Sequence, residues 1–460
     1  MSKTKKEIPA EGIYDARELG VPRMLLLGLQ HMFAMFGATI LVPALTGLSV
    51  SSTLLFAGVG TLLFHLISQR KVPAFLGSSF AFLGGYFAVN AWAEGKGIAE
   101  AASLLPYACF GVACAGLLYL IMAALIRAFG TNRIMRFFPP VVTGPIIIAI
   151  GLCLASSAVE NCSANWLVAL VAIVIVVACN IFGKGMIKIV PIILGVLGST
   201  AVAVVLHLTG AAQIFSADSL KTLGEASWIG LPFKYEETVF SIFGADFDPG
   251  LLITAIITIV PIALATIVEH IGDISAISST TGKNYIEDPG LHRTLLGDGL
   301  ATILASLFGA PANTTYGENT GVLTISRVYD PRVIRIAALF AILFSFSPKF
   351  AALIGLMPTA TIGGISLILY GMISAVGVRN LVETQTDFTK GRNVMITALI
   401  IGLAVGINYS TAGALNLTIG SVTIGFTGLA VGALAGIFLN AILPGKEWEF
   451  ERKIKNVHKM

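Results

Sequence analysis

Residues 250–277 read GLLITAIITIVPIALATIVEHIGDISAI, an apolar run whose only ionisable groups are Glu269, His270 and Asp273. A bilayer core takes about twenty apolar residues of helix, so the run is long enough to cross one. A charge near the bilayer centre costs a few kcal/mol and marks a functional position by default. Glu269 and Asp273 stand four apart, which puts both carboxyl groups on one helix face with His270 turned about 100° away. The segment therefore reads as a membrane span that carries a polar site.

The remaining sequence fits the same solvent. The chain is 56% hydrophobic and 12% charged, with mean hydropathy +0.87, against about 25% charged residues in soluble domains. Its 49 glycines and 18 prolines fall largely inside apolar runs, where membrane helices tolerate them. Candidate spans lie near 22–45, 50–68, 73–92, 106–128, 138–158, 165–182, 187–207, 250–277, 294–309, 312–327, 333–347, 350–377, 393–408 and 421–443, fourteen in all. The first twenty residues are polar and basic, with no cleavage site ahead of a short apolar core, and are expected to be retained. Cys109, Cys114, Cys153, Cys162 and Cys179 match neither zinc-site nor disulfide spacing and read as small core residues.

Charge tests the span count independently. With a cytoplasmic N-terminus, fourteen spans leave only Lys96, Lys221, Lys234 and Lys349 of the 29 Lys and Arg on the outer side, as the positive-inside rule requires. Both termini are then cytoplasmic. The long polar connection 208–249, with Asp218, Glu225, Glu236, Glu237, Asp246 and Asp248, lies outside. The net charge of +4 is spread over many short loops, so topology accounts for it and no nucleic-acid partner is expected.

Three features recur in order in the two halves. Gln30-His31 answers Glu269-His270; Pro73-Ala74 with Ser78-Ser79-Phe80 answers Pro311-Ala312 with Thr314-Thr315-Tyr316; Pro140 with Thr143-Gly144 answers Pro358 with Gly363-Gly364. Seven spans per half is an odd number, so the halves enter the membrane from opposite sides as an inverted repeat. In such repeats the site lies near the midplane, where two broken helices meet. Here the breaks are 77–82 and 311–317, each combining Gly or Pro with hydroxyl and aromatic or β-branched residues. Short extended stretches are expected there, in spans 3 and 10, able to pair with each other.

Glu318 follows the second break and enters the first turn of the next half-helix, where the helix dipole favours negative charge. Helix N-termini at the breaks aim free N–H groups at a ligand. His31 serves a cross-helix hydrogen bond as readily as a site, and Phe80 and Tyr316 serve packing as readily as a flat ring. Ionised carboxylates only accept hydrogen bonds and backbone N–H groups only donate, so the ligand should offer N–H and C=O edges on a small rigid frame. Uracil has both. A carboxylate held away from water also carries protons, which makes H⁺ the natural coupling ion, with no cofactor.

At these residues the sequence resembles the nucleobase-ascorbate transporter family (nucleobase:cation symporter-2), and within it the bacterial uracil permeases. The resemblance covers roughly 21–443. It rests on residues 30–39 from Gln30 to Thr39, residues 76–82 from Leu76 to Phe82, Asp288-Pro289-Gly290-Leu291-His292-Arg293, and Asn313-Thr314-Thr315-Tyr316-Gly317-Glu318-Asn319 continuing to Ser326-Arg327. It implies a core domain (22–128 and 250–347, spans 1–4 and 8–11) and a gate domain (129–207 and 348–443, spans 5–7 and 12–14), with tails 1–21 and 444–460. It further implies that Glu269 and Glu318 accept hydrogen bonds from the base, that main-chain groups at Phe80 and Gly317 contact it, and that Ser79, Tyr316, Gln30, His31 and Asn319 line or support the site. Proton uptake would accompany transport into the cell across a bacterial inner membrane, by a homodimer joined through the gate. Asp273 departs from the best-known bacterial pattern, in which a uracil permease can carry His at this position although Asp occurs there among relatives, and this leaves the proton carrier open among Glu269, Asp273 and Glu318.

Competing readings make different demands. A xanthine or urate transporter on the same scaffold would more often place Gln-Asn where Glu318-Asn319 stands. An anion exchanger of sulfate-permease type should face its ligand with a basic or neutral group. An enzyme would need a nucleophile–base pair or metal ligands, and the six scattered histidines supply neither. A channel has no need of titratable groups at paired helix breaks.

Overall fold

The computed structural model describes residues 12–98, 100–244, 247–419 and 422–445. Residues 1–11 and 446–460 of the expected tails, and Asp246 of the expected outer loop, lie outside the described residues. The main helices are α1 (Val21–Thr46), α2 (Val50–Ile67), α3 (Leu83–Lys96), α4 (Leu105–Phe129), α5 (Pro140–Ser163), α6 (Trp166–Phe182), α7 (Pro191–Leu208), α8 (Pro249–Ile259), α9 (Ala263–Thr281), α10 (Leu291–Leu307), α11 (Gly317–Ser326), α12 (Pro331–Ser345), α13 (Thr359–Glu383), α14 (Gly391–Asn408) and α15 (Gly428–Ile442). The strands are β1 (Leu76–Ser78), β2 (Asn313–Thr315), β3 (Ala414–Ile419) and β4 (Val422–Thr427). Among the described residues eight helical stretches are long and apolar enough to cross a membrane, and the chain is an integral membrane protein with several spans.

Local chemistry sets the helix ends. Proline occupies the first turn of α1, α4, α5, α7, α8 and α12, where its missing N–H costs nothing. Side chains cap α2, α8 and α12: Ser49 accepts from Ser52 N, Asp248 from Leu251 N and Asp330 from Arg332 N. Gly47 closes α1 in the left-handed region. The run 250–277 forms α8 and α9, joined through a 3₁₀ turn at Val260–Ile262 that contains Pro261.

Two expected spans differ from the structure. Residues 350–377 do not form one helix: a short helix, Pro348–Gly355, turns 87° from α12, and α13 starts afresh after Pro358, which cannot continue the preceding helix. Residues 421–443 are helical only from Gly428. Val422–Thr427 instead pairs antiparallel with Ala414–Ile419, as the β-branched residues around Gly425 favour.

Small residues let the helices approach closely. On α5 a Cβ at Gly144 would lie 3.1 Å from Gly377 O on α13; on α10 a Cβ at Gly299 would lie 3.0 Å from Gly116 O on α4. On the side of the α12 N-terminus, the segment before α1 docks across α11 and α12. Ile13 N donates to Arg327 O and Tyr329 N to Ile13 O, both at 2.8 Å. Asp15 pairs with Arg17 at 2.5 Å and with Arg332 at 2.9 Å. The Arg17 guanidinium beside Asp15 holds its carboxyl down to about 2.

Candidate functional site

The two breaks meet. β1 and β2 pair antiparallel with Leu76 opposite Thr315, Gly77 opposite Thr314 and Ser78 opposite Asn313. Two further backbone bonds extend the ribbon, Ser79 N to Ala312 O at 2.9 Å and Tyr316 N to Phe75 O at 3.0 Å. Backbone left open by a broken span must find partners inside the protein, and the flanking helices provide them. Thr61 on α2 accepts from Leu76 N at 2.9 Å, Thr302 on α10 donates to Asn313 O at 2.9 Å, and Asn313 Nδ2 donates to Phe56 O at 3.0 Å. From α1, Thr39 O accepts from Ser78 Oγ at 2.7 Å. Tyr316 closes the arrangement by donating to Ser78 O at 2.8 Å.

Each break delivers a helix N-terminus. After β1 come Ser79, a 3₁₀ turn at Phe80–Phe82 and α3; after β2 come Tyr316 and α11, whose first two residues are Gly317 and Glu318. Glu318 is half-buried in the first turn of α11, where the unpaired N–H groups suit a carboxylate or a ligand acceptor. It lines a cavity of about 240 Å³ bounded by α1, α6, α7, α11 and α13, otherwise mostly apolar, with Asn180 and Lys188 as its other polar side chains.

α9 brings the other two carboxylates. Asp273 Oδ2 accepts from Thr315 Oγ1 at 2.8 Å, and a Cβ built on Gly317 would lie 3.9 Å from Asp273 Oδ1. Glu269 is half-buried one turn earlier and lies within electrostatic reach of Asp273, Glu318 and Asp298, all acidic. Asp273 also feels Arg379 of α13. Glu269, Asp273 and Glu318 thus converge around the β1–β2 ribbon, although only Glu318 borders the cavity itself.

The other expected residues divide. Phe80 is buried and meets the Tyr370 ring of α13 edge-on, centroids 5.9 Å apart. The Ser79 hydroxyl is fully buried without a partner among the described residues, which leaves it free for a ligand. His31 is buried and ties α1 to α11: Asn319 Nδ2 donates to His31 O at 3.0 Å and lies 3.2 Å from its Nδ1. This is the cross-helix bond anticipated as one of its two readings. Gln30 departs from the site and contacts Met186 Sδ, in the connection between α6 and α7. Sequence reading missed Thr39, Tyr370, and a fully buried pair behind Glu269, His270 with Asp298. Asp298 stands between Gly297 and Gly299 in an apolar segment, the signal that would have singled it out. Among the described residues no group of three His, Cys, Asp or Glu is placed to hold a metal ion.

Comparison with known proteins places this geometry in context. The profile of the permease family matches residues 22–413. The uracil permease of Bacillus caldolyticus is 38% identical over 447 residues, 95% of each chain, and that of Escherichia coli K12 is 35% identical over 431 residues, 90% of each. Among solved structures, the transmembrane domain of the cyanobacterium bicarbonate transporter BicA superposes with TM-score 0.58 at 13% identity, covering 94% of this chain and 99% of that one. SLC26A9 gives TM-score 0.60 at 11% identity, covering 93% of this chain and 66% of that one. At these identities the two structures share the fold.

Proposed function

The chain belongs to this permease family, the nucleobase:cation symporter-2 family it resembles, and is a transporter rather than an enzyme; from that premise we propose that it imports uracil together with protons. The observation that best supports this reading is the β1–β2 ribbon, which sets backbone N–H groups, the free Ser79 hydroxyl and Phe80 beside three carboxylates. Uracil would donate its ring N–H groups to Glu269 and Glu318 and accept from main-chain N–H groups at Phe80 and Gly317. Its face would lie against Phe80 or Tyr316. A proton on the carboxylate cluster would travel with it.

In this reading α8 and α9 form one span, α3 and α11 complete the two broken spans, and fourteen crossings make two inverted repeats. The core (spans 1–4 and 8–11) would carry the ligand past the gate (spans 5–7 and 12–14) by alternating access. The cavity between α1 and α11 on one side and α6, α7 and α13 on the other fits the seam between the two bodies. The protein would pair through its gate in the bacterial inner membrane, with both termini in the cytoplasm.

The decisive measurement is uptake of radiolabelled uracil by proteoliposomes under an inward proton gradient. Accumulation should occur, collapse with a protonophore, and vanish in Glu269→Ala and Glu318→Ala. Uptake indifferent to the protonophore removes proton coupling. Competition by excess xanthine but not by excess unlabelled uracil moves the substrate to the purines. Bicarbonate or sulfate exchange without uracil uptake moves it to the anions whose transporters share the fold.

A further inference from the structure

The mechanism leaves one buried titratable pair unused. His270 Nδ1 on α9 lies 2.8 Å from Asp298 Oδ2 on α10, and both side chains are completely buried. The two groups are in close contact, and none of their nitrogen or oxygen atoms has an aligned hydrogen-bond partner elsewhere among the described residues. The pocket is built around it. A Cβ at Gly297 would sit 3.0 Å from the Phe64 ring of α2, and one at Gly299 would sit 2.6 Å from Tyr119 Cβ of α4. Phe64 also meets His270 edge-on, with centroids 6.3 Å apart. Glycine on both sides of Asp298 therefore lets α2 and α4 close over the carboxylate and exclude water.

α9 needs such an anchor. Its C-terminal end is tied by Tyr14, which donates to Thr281 O at 2.5 Å, and by Ser278, whose hydroxyl accepts from Tyr285 N at 3.1 Å, while its N-terminal end starts at the 3₁₀ turn containing Pro261 without a side-chain cap. Two polar ties flank the carboxylates: Asp273 to Thr315 on the ribbon side, and His270 to Asp298 behind. His270 follows Glu269 directly, so a rotation that frees the imidazole also swings the Glu269 carboxyl away from the ligand.

We propose that His270 and Asp298 are positioning residues: their buried contact locks the rotation of α9 and so aims Glu269 and Asp273 at the substrate. This rests on the transport reading given above. Removing one partner of a buried pair leaves a lone polar group in an apolar pocket, whereas replacing both with neutral groups is far better tolerated.

The test compares His270→Gln, Asp298→Asn and the double variant, with protein amounts matched, for uracil uptake in proteoliposomes. Each single variant should raise KM about tenfold, and the Gln–Asn pair should return KM to within about threefold of wild type. A fall in Vmax at unchanged KM assigns the pair to stability alone and overturns the proposal. So does a double variant no better than either single one, in KM or in accumulation in the membrane. A second arm needs no substrate: backbone hydrogen exchange across residues 263–281 should speed up in the single variants and slow again in the double. Wild-type protein that moves no uracil refutes the transport reading, while the exchange arm still decides whether the pair holds α9.

Discussion

Gly77→Ala is the sharpest perturbation of the ribbon. A Cβ at this position would lie 2.6 Å from Thr39 Oγ1 and 2.6 Å from both Cε2 and Cζ of Tyr316, nearer than side-chain carbons approach. Neither neighbour can yield freely, because Tyr316 is fixed by its bond to Ser78 O and lies 3.3 Å from Thr39 Oγ1. Overpacking a site of this kind costs about 1–3 kcal/mol. At Gly84, near the start of α3, a Cβ would meet nothing within 4 Å, so Gly84→Ala should stay within about 0.5 kcal/mol of wild type. Thermal unfolding of purified protein should rank wild type and Gly84→Ala together and Gly77→Ala below them, and uracil uptake should follow the same order. Adding Tyr316→Ala to Gly77→Ala removes the obstructing ring, so the two changes should combine non-additively, with the double variant more stable than the separate losses sum to. Equal melting of Gly77→Ala and wild type would show that the ribbon is looser than drawn and refute the close-packed crossing.

Two further outcomes follow from individual contacts. Thr315→Val keeps the shape but removes the hydroxyl that donates to Asp273 at 2.8 Å; a single intramolecular hydrogen bond is worth about 0.5–1.5 kcal/mol, so initial-rate uptake should fall severalfold while Thr315→Ser stays near wild type. Asp15→Asn should lower the melting temperature equally at pH 5 and pH 8. The Asp15 carboxyl is depressed from 3.8 to about 2 by Arg17 and Arg332, so its contribution is present above the unfolded value and is lost only as pH falls toward 2; a difference between pH 5 and pH 8 would contradict that assignment.

That the chain crosses a membrane several times was legible because a bilayer imposes one apolar length on every span, which can be read residue by residue. The ribbon was legible for a related reason: Gly77-Ser78-Ser79 and Asn313-Thr314-Thr315 are poor helix formers set in apolar surroundings, and strands inside a membrane protein must find each other. Periodicity failed at 350–377 and 421–443, where a hydropathy window averages across Pro358 and across a β-branched run as though both were helix. Gln30 and His31 meet different neighbours, Met186 and Asn319, because consecutive helical residues face different directions. Asp298 carried the same signal as Glu269, a carboxylate in an apolar segment, but its partner was not legible, because such a group looks alike whether it meets water or an imidazole. Only the packing of α9 on α10 distinguishes them.

The convergence of acidic groups limits how the proposed core can move. Glu269 is surrounded by the fields of Asp273, Glu318 and Asp298, and among the described residues the cation whose field reaches Asp273 is Arg379 on α13, an exposed side chain that also lies 3.5 Å from Glu383. A core that slid against the gate with all these groups ionised would carry several unpaired charges through the membrane, each costing a few kcal/mol. It would also change the distance to Arg379 during every stroke. The least costly crossing is one in which protons and a hydrogen-bond donor together neutralise the cluster, so an empty, deprotonated core stalls. Under the transport reading this is why substrate and proton must move in the same step, and Arg379→Ala should reveal it. Loss of the gate-side cation should slow uracil-driven uptake far less than Glu269→Ala does if protons carry the neutralisation; equal losses would place that burden on the Asp273–Arg379 attraction instead.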